Sequence, residues 1–106
     1  MPATASGTRT VTPDSLRTTV AAMFRKVGMP ESDANFMGQC LVDADLRGVH
    51  SHGTRYVVPY IRNLQKGQWN PTPNIRVVRE KGGTAVIDAD RSAGHLSAHR
   101  AMQLAI

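Results

Sequence analysis

Apolar positions follow a helical rhythm in the first two thirds of the chain and a strand-like rhythm after it. Leu16, Val20, Met23, Phe24 and Val27 recur at helical spacing and predict a first helix. Thr12-Pro13-Asp14 opens it with a hydroxyl cap, a proline where no N–H is needed, and an acid near the positive helix end. Gly28 ends it and Pro30 prevents continuation. A second helix is predicted to start between Pro30 and Ser32, with Glu31 and Asp33 in its first turn. Ala34, Met37, Leu41 and Ala44 form its main apolar stripe, Phe36 and Cys40 widen it, and Gly48 closes it. The short connection makes the two helices an antiparallel pair.

Val57, Tyr60, Ile61 and Leu64 carry a further helical pattern, complicated by Pro59. In mid-helix a proline costs about 3 kcal/mol, so Pro59 belongs in a first turn. That places Ser51–Tyr56 in a separate short turn or helix and a third long helix from about Val58 to Lys66, ended by Gly67. Pro71 and Pro73 make Gln68–Asn74 an extended loop, with Trp69 as a packing anchor. Ile75–Arg79 and Thr84–Asp88 then read as strands, joined by a hairpin turn at Lys81-Gly82-Gly83. A last helix starts at Ser92–Gly94, with Ala98, Ala101, Met102 and Ala105 on one face for packing. Its pattern still runs at Ile106, and a lone hairpin expects more strands. The domain is therefore expected to continue.

The predicted class is α/β in an α+β-like order. A tail over 1–11, expected to be disordered, precedes a helical portion over 12–67. Residues 68–106 are the start of a mixed sheet domain, incomplete at the C-terminus. The 106 residues, 41% hydrophobic and 20% charged, suit a soluble globular domain with a modest core. No apolar run is long enough for a membrane helix, and the N-terminus lacks the apolar segment of a secretory leader. The single cysteine, Cys40, excludes an internal disulfide and reads as a buried structural thiol. A reducing, cytoplasmic setting is expected. The net charge of +5 invites a nucleic-acid reading. The basic residues are dispersed, however, and one Trp, two Tyr and two Phe give few stacking platforms. A solvated surface, or a basic face attracting an anionic substrate or cofactor, accounts for the charge.

The densest chemistry lies in Gly48-Val49-His50-Ser51-His52-Gly53-Thr54-Arg55, between two core-forming segments. An imidazole exchanges protons near neutral pH. Ser51 is placed to hold the His52 ring in one tautomer, and Arg55 can grip a carboxylate with two parallel N–H bonds. Together they suggest proton transfer on a small acid. On the residues alone, His52 also reads as a cap on a helical turn, Ser51 as an N-cap and Arg55 as a surface charge. His95 and His99 stand four apart on a helix, but no acid or cysteine is spaced to complete a metal site. They read as helix-surface or interface residues, and no metal is expected. Asp88 and Asp90 read as turn and capping residues, and Asp43 and Asp45 beside Arg47 as a solvated helix end. Gly82-Gly83 is a turn and not a phosphate loop.

Ala44-Asp45-Leu46-Arg47-Gly48-Val49, Ser51-His52-Gly53, Gly67, Asn70-Pro71, Val86-Ile87-Asp88-Ala89-Asp90, Gly94 and Ala101-Met102 resemble one family in order. It is the malate/L-lactate dehydrogenase family that also holds ureidoglycolate, sulfolactate and piperideine-2-carboxylate enzymes. The likeness runs from about Thr12 to Ile106 and covers only the opening part of a member. It implies an NAD- or NADP-dependent oxidoreductase of 2-hydroxy or 2-oxo acids. The implied fold is non-Rossmann, with a helical N-terminal portion, a sheet-based cofactor domain and a homodimer whose active site lies near the subunit interface. The absence of G-x-G-x-x-G after a strand agrees.

The resemblance implies His52 as proton donor and acceptor, or as a substrate-positioning group, with Ser51 as its relay partner. It implies Arg55 or Tyr56 as a substrate-carboxylate ligand. Several members carry an arginine four residues after the histidine, where this chain has Tyr56. His50 stands where the family commonly has an acid. The acidic relay partner and most cofactor-binding groups are expected beyond Ile106, so the isolated chain is expected to be inactive. The alternative reading is a truncated, non-catalytic helical interaction or dimerisation module.

Overall fold

The computed structural model describes residues 7–106; the first half of the expected tail over 1–11 lies outside them. Among the residues from Pro13 on, four α-helices, two short 3-10 turns and one hairpin follow in the expected order. Helix α1 spans Pro13–Lys26, α2 Glu31–Leu46, α3 Val57–Gln65 and α4 Gly94–Ala105. Strands β1 (Arg76–Lys81) and β2 (Thr84–Asp88) pair antiparallel, and the 3-10 turns are His50–His52 and Thr54–Tyr56. No helix among the described residues is long and apolar enough to cross a membrane.

Local chemistry sets the helix ends. The Thr12 hydroxyl accepts from the Ser15 backbone N–H at 3.2 Å, as an N-cap should. Helices α1, α2 and α3 all stop in the same way. Gly28, Gly48 and Gly67 take left-handed backbone at φ +102°, +76° and +77°. The amide after each glycine reaches back five residues, Met29 to Phe24, Val49 to Ala44 and Gln68 to Asn63. Those bonds satisfy carbonyls that the helix itself leaves open. Pro59 sits in the first turn of α3, where its missing N–H is harmless.

Phe24, Met37 and Leu41 are fully buried and join α1 to α2. Gly38 lets the two helices close, because a Cβ there would lie 2.8 Å from the Arg17 carbonyl oxygen. Ala21, Met29 and Val42 are also buried, although the apolar stripes did not single them out. Val57 and Leu64 of α3 and Leu96 of α4 complete the cluster, and Trp69 packs against it as the expected anchor. Met23, part of the helical pattern, is exposed, because the helix pairing uses the Val20–Phe24 side of α1. One core expectation is corrected. Cys40 is half-buried and not fully enclosed, at the edge of the α2 face.

The first strand begins and ends a little later than expected, and its register shifts between Val77 and Arg79. Every residue of β1 is exposed. The face of α4 expected to pack, with Ala98, Ala101, Met102 and Ala105, is exposed as well. Helix α4 instead turns Leu96 inward and stacks His99 on Phe36 at 4.4 Å. A polar knot ties the 67–74 loop to the end of β2. Asp90, at φ +53°, accepts from the Asn70 side chain at 3.1 Å and the Asn74 N–H at 2.8 Å. Asp88 accepts from the Asp90 N–H at 2.8 Å, so both acids act as the expected turn residues.

Candidate active site

The candidate site is built on the C-terminus of α2 and the two 3-10 turns that follow it. Left-handed Gly48 reverses the chain, so residues 50–54 pass back alongside the last turn of α2. Asp45, on that turn, accepts from the Thr54 backbone N–H at 3.2 Å and from the Thr54 hydroxyl. Its other oxygen faces His50 Nδ1 at 3.2 Å. The Asp45 carboxyl is pushed up by burial, but the Thr54 hydroxyl, the Thr54 amide and His50 outweigh that and hold it below the usual aspartate value. Asp43 meets Arg17 at 3.0 Å, and Arg17 also meets Asp14 at 2.9 Å. The solvated helix end expected for Asp43 and Asp45 is thus corrected. Both carboxylates are structural partners, one joining α2 to α1 and the other joining α2 to the motif.

Between the anchored residues 50 and 54 lies the candidate pair, Ser51 and His52. Ser51 Oγ stands 3.0 Å from His52 Nδ1. When the hydroxyl donates to Nδ1, the proton of the neutral ring sits on Nε2, free to meet a substrate oxygen. Ser51, His52, Arg55 and Tyr56 are all solvent-exposed. Arg55 carries its guanidinium 5.9 Å over the Tyr56 ring, a contact that steadies the cation while leaving its N–H fork available.

An aromatic wall continues from Tyr56. Tyr56 stacks on Tyr60 at 5.6 Å, Tyr60 tilts onto Trp69 at 4.7 Å, and His95 meets the Tyr60 ring edge-on at 5.7 Å. His95 is half-buried, and its Nδ1 is enclosed with no hydrogen-bond partner among the described residues. Burial and then the nearby charge of His52 lower its pKa. This corrects the helix-surface reading of His95. His99, on Phe36, belongs to a different neighbourhood. Burial pushes the Cys40 thiol up, with Asp43 adding to it, which disfavours the nucleophilic thiolate. Among the described residues, no group of three or more His, Cys, Asp or Glu side chains is placed to hold a metal ion.

Cavities elsewhere do not compete for this role. One, about 410 Å³, is a polar groove between α1 and α2 lined by Arg17, Thr18, Asn35, Gln39 and Asp43. It contains neither His52 nor Arg55. Among the described residues, no glycine-rich phosphate cradle accompanies the exposed His52–Arg55 edge, and Gly82 and Gly83 make only the hairpin turn.

The model of malate/L-lactate dehydrogenases matches residues 11–106. The chain belongs to that family. It is 40% identical over 94 residues to the L-sulfolactate dehydrogenase of Methanocaldococcus jannaschii, which covers 89% of this chain and 27% of that protein. It is 41% identical over 93 residues to the malate dehydrogenase of Pyrococcus horikoshii, with 88% and 26% covered. The structure of the Pyrococcus horikoshii malate dehydrogenase superposes with a TM-score of 0.87 at 36% identity, over 98% of this chain and 30% of that one. The chain thus spans between a quarter and a third of the length of these relatives.

Two residues to which the sequence assigned no role in the site, Asp45 and His95, enter it through folding. Asp45 had a visible signal, a carboxylate eight positions before a glycine flanked by polar groups, but nothing to say that the chain turns back onto it. His95 had none, since its neighbours Tyr60 and Trp69 come from distant positions.

Proposed function

We propose that the chain is the N-terminal part of an NAD- or NADP-dependent oxidoreductase that interconverts 2-hydroxy and 2-oxo acids. The observation that carries this reading is the Ser51–His52 contact of 3.0 Å at an exposed edge beside Arg55. When bound, a nicotinamide would supply the hydride chemistry at the substrate's C2, in either direction. His52 Nε2 delivers the proton that the new alkoxide oxygen needs and takes it back in the oxidative direction. Ser51 holds the ring at Nδ1 so that Nε2 faces the substrate. Arg55, steadied by Tyr56, pairs with the substrate carboxylate through two N–H groups. The expected frame is a cytoplasmic homodimer in which residues 68–106 open the sheet-based cofactor domain and most cofactor-binding groups follow Ile106. On its own, the 106-residue chain is expected to be inactive.

The test is His52→Ala in the full native protein, assayed with 2-oxo acids and both reduced nicotinamides by absorbance. Turnover is expected to fall by about 10²–10⁴-fold, the usual contribution of a positioned acid–base group. Unchanged turnover would remove the assignment.

A further inference from the structure

We propose that Asp45 is a positioning residue for His52, and that position 53 is glycine because the Asp45 carboxylate occupies the space a Cβ would need. The proposal rests on the reading of His52 as the proton carrier. The Asp45 carboxylate holds His50 through one oxygen, and the Thr54 amide and hydroxyl through the other. The two anchor points straddle Ser51, His52 and Gly53. The intervening 3-10 turns have little of their own to keep them in place. His52 N–H bonds to the Val49 carbonyl at 3.0 Å and Gly53 N–H to the His50 carbonyl at 3.2 Å. Such single turns have poor bond geometry and persist in short pieces only when something else fixes them.

Gly53 supplies the independent observation. Its backbone is extended, at φ −103° and ψ −152°, so glycine is not there for left-handed backbone. A Cβ built at position 53 would lie 1.8 Å from Asp45 Oδ1 and 2.6 Å from its Cγ. The motif glycine and the helix-end aspartate therefore form one device. Any side chain at 53 expels the carboxylate, and an expelled carboxylate releases both ends of the turn that carries His52. His50 explains itself in the same terms, as the group that closes the anchor on the Oδ1 side.

The experiment is a double-mutant cycle in the full native protein, with Asp45→Ala, Gly53→Ala and the pair. It reads kcat and KM on a 2-oxo acid, together with the ¹⁵N signals of the His52 ring. Each single variant is expected to lower kcat by about 100-fold, the scale of an ångström-sized misplacement, with KM moving much less and the His52 tautomer signal shifting. Adding Gly53→Ala to Asp45→Ala is expected to cost less than about twofold, since no carboxylate is left to expel. Equal losses from Gly53→Ala in both backgrounds would overturn the proposal. So would Asp45→Ala with unchanged kcat and unchanged His52 signals, which would leave Asp45 a cap for the turn and nothing more. If Gly53→Ala does not fold, the thermal midpoints of Asp45→Ala with and without Gly53→Ala read the same coupling. A His52→Ala variant of full turnover would sink the acid–base reading, whereas the coupling and the ring signals report on Asp45 independently.

Discussion

The helical region over α1–α3 and the region of the hairpin and α4 are built from similar proportions of apolar residues, yet they bury them very differently. In the first, Phe24, Met37 and Leu41 are sealed, and Gly38 brings two helix backbones into contact. In the second, Val78, Val86, Met102 and Leu104 face solvent, and only Ala93 and Leu96 are buried. The difference shows that an apolar pattern forms an element, whereas burial depends on a second surface to receive it. The candidate site lies in the well-packed region, on turns whose anchor, Asp45, rises from a helix fixed by that core. A proton carrier needs this kind of support, because a loosely held ring loses its geometry.

The comparison can be broken most severely at Phe24. Phe24→Ala should destabilise the chain by about 3–5 kcal/mol, read by chemical denaturation with circular dichroism. A loss as small as that of a hairpin substitution would mean that the two regions are equally weak. Gly38→Ala should cost about 1–3 kcal/mol by forcing α1 from α2, even though alanine is the better helix former. A neutral or stabilising outcome would show that the close approach is soft. Thr12→Ala should cost about 1 kcal/mol through the lost cap, again by denaturation. Val78→Thr, on the exposed hairpin, should stay within about 0.5 kcal/mol, and a larger loss would reveal packing there.

Acid sharpens the comparison from another side. Asp45 is held below the ordinary aspartate value. Its stabilising contribution is complete above the unfolded-state pKa and is lost as pH falls through the lowered folded value. The thermal midpoint should therefore drop on acidification below the ordinary aspartate value, and Asp45→Asn should reduce that drop. An identical acid profile in the variant would count against the Thr54 and His50 bonds.

Much of the fold was legible because its signals are local. Thr12-Pro13, the glycine stops at 28, 48 and 67, the placement of Pro59 and the Gly82-Gly83 turn each act within a few residues. Motif order across the chain carried the family, because it needs no geometry. Helical period shows that a face of α4 is apolar and cannot show which neighbour meets it, and the chain spans only about 30% of the related structure. Cys40 was misjudged for a related reason, lying at the margin of a stripe whose exact centre is set by the partner helix.

By itself, the sequence determined the order of the helices and strands, the main helix stops and the family, and it singled out Ser51, His52, Arg55 and Tyr56 as candidates. These follow from backbone dihedral preferences, capping and residue type, which act over a few positions. The tertiary structure alone decided that Asp45 closes on His50 and Thr54, that Gly53 makes room for it, and that His95 lies against Tyr60 with an enclosed nitrogen. Those contacts join residues whose separation in sequence says nothing of their distance. They exist only after the α1–α2 core and the Gly48 reversal have fixed the directions of the chain.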